Sequence, residues 1–198
     1  MKRLLTFLLP AILFTGCSTT PGDAAYRAGQ TEAAAELYRQ GADQDDAQAA
    51  MKLGLLLNAG EVKPDTFGEA TSWFEKACNL GEVSGCHNAG VAYEYGKNGV
   101  SVDYNKARDY YRKAAEQGYI QSQYNLGSLY SNHYFPEAIT GYIWMLIAEQ
   151  QAKGCAHNEL CQWILNDPPR HRSHLKARLT TKQIQQAQTS AAQWQATP

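Results

Sequence analysis

Met51-Lys52-Leu53-Gly54 returns as His87-Asn88-Ala89-Gly90 and again as Tyr124-Asn125-Leu126-Gly127, so the landmark glycines stand 36 and then 37 residues apart. A chain that repeats at such a step builds one supersecondary unit several times and buries its apolar faces by stacking the copies. The second half of each unit keeps the same step. Ala70-x-x-Trp73-x-x-x-Ala77 recurs as Ala107-x-x-Tyr110-x-x-x-Ala114 and, more weakly, as Gly141-x-x-Trp144-x-x-x-Ala148. Two landmarks per unit at helical spacing predict a pair of helices in each repeat. The expected fold class is therefore all-α, a solenoid of helix-turn-helix repeats closed by a C-terminal capping helix.

Gly54, Gly90 and Gly127 fall in mid-helix, where glycine costs roughly 1 kcal/mol against alanine unless close helix approach compensates. Ala77, Ala114 and Ala148 are the expected small faces, with Trp73, Tyr110 and Trp144 as large knobs between units. The run from Gly96 to Asp103 reads as a turn that ends in an N-cap aspartate. These landmarks place three units at 46–82, 83–118 and 119–154. A capping helix pair at 23–45, with Thr31 as an N-cap, precedes them, and an extension at 155–198 follows. In that extension Pro168-Pro169 marks a break, after which Thr180 caps a Gln- and Ala-rich helix running to about Trp194.

Asn88-Ala89-Gly90-Val91-Ala92-Tyr93 and Lys113-Ala114-Ala115-Glu116-Gln117-Gly118, taken with their spacing, resemble the Sel-one-like repeat, a relative of the tetratricopeptide repeat. The first unit departs at Leu57, where the family usually has Tyr, and the third lacks the glycine-rich loop. The resemblance implies a superhelix whose first helices line a concave, protein-binding face. Carried over to this chain, the positions three before, one after and four after each landmark glycine line that face. They are Met51, Leu55 and Asn58, then His87, Val91 and Glu94, then Tyr124, Ser128 and Ser131.

The first residues carry a second message. Lys2 and Arg3 precede an apolar run from Leu4 to Phe14 that is too short to span a bilayer, and Phe14-Thr15-Gly16-Cys17 follows. This resembles the lipobox of bacterial lipoproteins, in which the cysteine is acylated and becomes the mature N-terminus. Residues 1–16 are then a signal peptide and 17–22 an acylated tether. Ser18, in place of the Asp that retains such proteins at the inner membrane, implies the periplasmic face of the outer membrane. Once Lys2 and Arg3 are removed, acidic residues outnumber basic ones, so no electrostatic footprint for nucleic acid exists.

With Cys17 acylated, Cys78, Cys86, Cys155 and Cys161 remain, an even number in an oxidising compartment. Cys78 ends one helix and Cys86 begins the next, and their spacing resembles the cysteine-rich, secreted branch of the same repeat family, which implies a bridge between consecutive units. Cys155 and Cys161 are expected to form a second, local bridge. The alternative is a zinc site, because His157 lies between them and His171 and His174 follow.

The sequence offers little for catalysis. Ser173-x-x-Lys176 spells the opening motif of serine penicillin-recognising enzymes, yet Ser-Asp-Asn and Lys-Thr-Gly are missing. A weak hydrolase of β-lactams or peptidoglycan stays as the alternative function. No phosphate-cradling loop is present, and no cofactor or metal is expected. Tyr95, Tyr104 and Tyr134 lie off the landmarks as exposed candidates for sugar stacking, while Asp43-Gln44-Asp45-Asp46 reads as a solvated helix start rather than a calcium loop. The leading expectation is a non-enzymatic, outer-membrane-anchored protein-interaction module of the periplasm. Within the resembled family such lipoproteins act as envelope scaffolds or as immunity proteins against delivered toxins.

Overall fold

The computed structural model describes residues 20–132, 135–166 and 170–196. Cys17 and the rest of the leader, His133, Tyr134 and the Pro168-Pro169 break lie outside the described residues. Within them the chain is helical and contains no strand. α1 (Gly22–Arg27) and α2 (Thr31–Asp43) form the first pair, followed by α3 (Ala47–Ala59) with α4 (Glu69–Asn79). Then come α5 (Val83–Tyr95) with α6 (Tyr104–Glu116), and α7 (Ile120–Ser131) with α8 (Ala138–Gly154). α9 (Glu159–Asn166), α10 (Arg170–Ala177) and α11 (Thr181–Gln193) complete the chain. From α1 to α8 each helix packs on the next; α9, α10 and α11 then all pack on α8, and α10 also reaches α7.

Helix starts follow from side chains that take up orphan backbone donors. Asp46 accepts from the backbone N–H of Gln48 and Ala49 at the head of α3, Asp103 accepts from Lys106 at α6, and Thr180 forms a capping box with Gln183 at α11. The acidic run before α3 thus supplies a cap. Thr31 is the first residue of α2 rather than its cap, a role held by Gln30 without a side-chain bond. Gly60 and Gly96 end α3 and α5 in the left-handed conformation.

The landmark glycines do admit close approach, but to other partners than expected. A Cβ on Gly54 would lie 2.7 Å from the Phe74 ring, one on Gly90 2.6 Å from Tyr111, and one on Gly127 2.7 Å from Met145. The buried knobs are therefore Phe74, Tyr111 and Met145, each one residue past Trp73, Tyr110 and Trp144, which are only half-buried. One residue is a rotation of about 100° on a helix. That rotation leaves Trp73 and Tyr110 at the margin, where their polar tips reach Glu69 and Glu75. Ala77 instead faces Gly85 at the crossing of α4 and α5.

Cys78 and Cys86 are bonded across that crossing, joining α4 to α5. Cys155 and Cys161 are bonded between the end of α8 and α9. The second bond occupies both sulfurs that the zinc alternative needs.

Candidate interaction groove

The nine residues expected on the concave face do not share one environment. Met51, His87, Glu94, Tyr124 and Ser131 are buried, whereas Leu55 and Asn58 are exposed and Val91 and Ser128 are half-buried. Of the buried five, Met51, His87 and Glu94 pack within and between units, while Tyr124 and Ser131 are covered by the C-terminal extension. His87, 6% exposed, sits beside the Tyr111 and Tyr119 rings with its Nδ1 2.9 Å from the Ser122 hydroxyl of α7. Burial lowers its pKa to about 4, so the ring is neutral at pH 7. Glu94 accepts from the Tyr111 hydroxyl at 2.7 Å, and burial raises its pKa.

Tyr124 and Ser131 meet the C-terminal extension. The Tyr124 ring stands edge-on to Trp163, with centroids 4.9 Å apart, and near His171 at 6.1 Å. Ser131 donates to the His171 carbonyl, and its oxygen lies 3.2 and 3.4 Å from Nδ1 of His171 and His174. A serine between two imidazoles has the parts of a nucleophile and base, but at 1% exposure its hydroxyl is closed to a substrate. Ser173 and Lys176 stand exposed on α10.

The accessible stripe lies beside the expected one, two before, one after and five after each glycine. It comprises Lys52, Leu55 and Ala59 on α3, Asn88, Val91 and Tyr95 on α5, and Asn125 and Ser128 on α7 with Asn132 as its C-cap. Steps of three and four keep each set on one helical face. Tyr95 is 61% exposed, with the Lys97 ammonium 5.5 Å from its ring centroid, whereas Tyr104 is half-buried. One further exposed ring stands at no repeat landmark. Phe67, 94% exposed, leans over Gly99 of the next unit's loop, and the only local signal was its place in a Pro-Asp-Thr turn.

The stripe begins in a cleft of about 360 Å³ among α1, α2 and α3. Leu55, Leu56 and Ala59 give it an apolar floor, and Tyr26 and Glu61 stand at its rim. Beside it the Asp23 carboxylate takes both a Lys52 ammonium at 2.7 Å and the Tyr38 hydroxyl at 2.7 Å. The Lys52 bond holds the Asp23 pKa down to about 2 against a smaller effect of burial. The Tyr26 hydroxyl donates to Glu61 at 3.3 Å.

A family model described as Sel1 repeat matches residues 23–46, 47–82, 83–119 and 120–148. The last three fall on the units drawn from the glycines, and the first on the pair read as a cap. The chain is 33% identical over 105 residues to cytochrome c oxidase assembly factor 7 of Xenopus tropicalis and to cytochrome c oxidase assembly factor 7A of Xenopus laevis. Each match takes in 50% of this chain and 46% of the relative, so the chain spans about half the length of these curated relatives. Among solved structures it resembles c5321, a protective antigen present in uropathogenic Escherichia coli strains displaying an SLR fold. The TM-score is 0.63 and the identity 29%, over 82% of this chain and 32% of that one. A Sel1 repeat protein from Oxalobacter formigenes matches with TM-score 0.60 and 24% identity, over 87% and 70% of the two chains, a likeness of fold alone.

Proposed function

Because the chain belongs to the Sel1 repeat family, whose fold generally serves protein–protein interaction, we propose that it is a non-enzymatic binding module of the bacterial envelope. The observation that carries this reading is the stripe from Lys52 to Asn132, repeated along three first helices, in which every residue is at least partly exposed. Its mixture of aliphatic, aromatic and amide side chains suits a protein segment better than a small metabolite.

The finer proposal is a periplasmic lipoprotein of the outer membrane, anchored through Cys17 and acting as an immunity protein or an envelope scaffold. The lipobox-like Phe14-Thr15-Gly16-Cys17 and the two disulfides support export to an oxidising compartment. Thr20 is buried and bonded to Asp23, and three peptide steps from Cys17 reach about 10 Å at full extension. An acylated Cys17 therefore keeps α1 close to the lipid surface. Mass spectrometry of the N-terminal peptide tests the anchor, since a free or uncleaved Cys17 removes it. In-envelope cross-linking followed by affinity capture tests the module. One stoichiometric partner, cross-linked through the stripe, is expected, and its identity separates immunity from scaffolding. No partner above background overturns the reading.

A further inference from the structure

Two ends of the repeat array treat the same kind of surface differently, and the filled end indicates what the open one takes. At the C-terminal end α10, Arg170-His171-Arg172-Ser173-His174-Leu175-Lys176-Ala177, carries one fully buried apolar residue among cations. Leu175 packs next to Gly141 of α8, Arg172 pairs with Glu149, and the following Arg178 donates to the carbonyls of Tyr130 and Pro136. The array thus holds a basic helix by one buried aliphatic side chain, a carboxylate at the margin, and the contacts of His171 and His174 with Ser131.

The cleft at the other end offers an apolar surface with a carboxylate beside it, and none of the described residues fills it. Its floor is apolar, and its size suits one large side chain with its neighbours. Asp23 and Lys52 cancel each other, which leaves Glu61 as the net charge of the lining. Among the described residues Glu61 forms no ion pair with Lys, Arg or His; its bond is to a neutral tyrosine. We propose that this cleft takes a short basic helix of a partner protein, with one large aliphatic or aromatic anchor over Leu55 and Ala59. A Lys or Arg of that helix, three or four residues from the anchor, pairs with Glu61. The proposal rests on the reading of the stripe as an interaction surface and names the chemistry of what binds at its N-terminal end.

The test uses the full chain in detergent micelles and a labelled twelve-residue alanine-based helical peptide bearing one central Leu with Lys three and four residues to either side. Its Leu→Ala and Lys→Glu counterparts serve as comparisons. Saturable binding of the Leu/Lys peptide is expected, weakened about tenfold by Leu55→Glu or Glu61→Lys with unchanged thermal melting. The Glu61→Lys chain is expected to prefer the Lys→Glu peptide, a swap that lost stability alone does not produce. Binding that ignores the swap, or that falls only with Val91→Glu and Tyr95→Ala, overturns the cleft assignment and leaves the stripe as an interaction surface. No peptide binding, with a partner still cross-linked through the stripe, overturns the basic-helix chemistry alone. Failure of both sinks the interaction reading as well. Self-association in sedimentation that Glu61→Lys abolishes overturns the partner in favour of a second copy.

Discussion

The first and last helix pairs of the array are built on one plan and end differently. Between α1 and α3 a cleft stays open, with Leu55 43% exposed at its floor. Over α7 the matching region is closed by α9 and α10, whose Trp163, His171 and Leu175 cover Tyr124, Ser131 and Tyr130. A repeat presents its stacking face whether or not another repeat follows, so each end must be capped, shared or left for a partner. Here α9 and α10 lie over the last pair, whereas none of the described residues fills the cleft at the first.

The comparison breaks most readily at Leu175. Leu175→Ala removes a fully buried side chain and is expected to cost about 2–5 kcal/mol, felt first in the C-terminal cap. Tryptophan fluorescence, dominated there by Trp163 and Trp194, is then expected to change at lower urea than helix content. Coincident transitions would show that cap and array unfold as one body.

In the regular units the largest effect is one of pH. The folded pKa of His87 is about 4 against 6.5 for the free ring, so between those values the unfolded chain binds the extra proton. Stability is whole above pH 6.5 and declines by roughly 3 kcal/mol as pH falls to 4. Asp23 adds loss in the same direction between 3.8 and about 2. Glu94 acts oppositely, because burial raises its pKa and protonation favours the folded state. Denaturant midpoints at pH 7 and pH 5 are expected to differ less in His87→Gln than in the natural chain.

Smaller changes sharpen the contrast between unit and cap. Gly90→Ala drives a methyl into the Tyr111 ring and is expected to lower stability by about 1–3 kcal/mol, whereas Gly154→Ala at the end of α8 meets open space and is expected to be neutral or stabilising. Thr180→Ala takes away the capping box of α11 and is expected to cost about 1 kcal/mol, readable as a lower melting temperature. Leu55→Ser at the open cleft is expected to stay within about 0.5 kcal/mol. A loss beyond that in calorimetry would mean the cleft is structural rather than vacant for a partner.

Much of this was legible from Gly54, Gly90 and Gly127 alone: the helix pairs, their period, and caps such as Asp103 and Thr180. Both bridges follow the cysteine positions. What escaped was rotation about each helix axis. Trp73 and Phe74 are adjacent, as are Tyr110 and Tyr111, and two neighbouring aromatics give periodicity no means of choosing the inner one. The same ambiguity moved the open stripe by a residue, because Met51 and His87 look no different in sequence from residues that face solvent. The packing of α9 and α10 over α7 had no repeat to be read from, and the cleft depends on Tyr26 and Glu61, 35 residues apart and at no landmark.

Both bonded cysteine pairs straddle a turn between consecutive helices, residues 80–82 in one case and 156–158 in the other. Such turns are where proteases cut folded chains. A cut at either place would sever the backbone and add a water to the mass, yet release no fragment until a reductant reached the sulfurs. Nicking at these two turns would thus leave the array, and whatever it holds, in one piece.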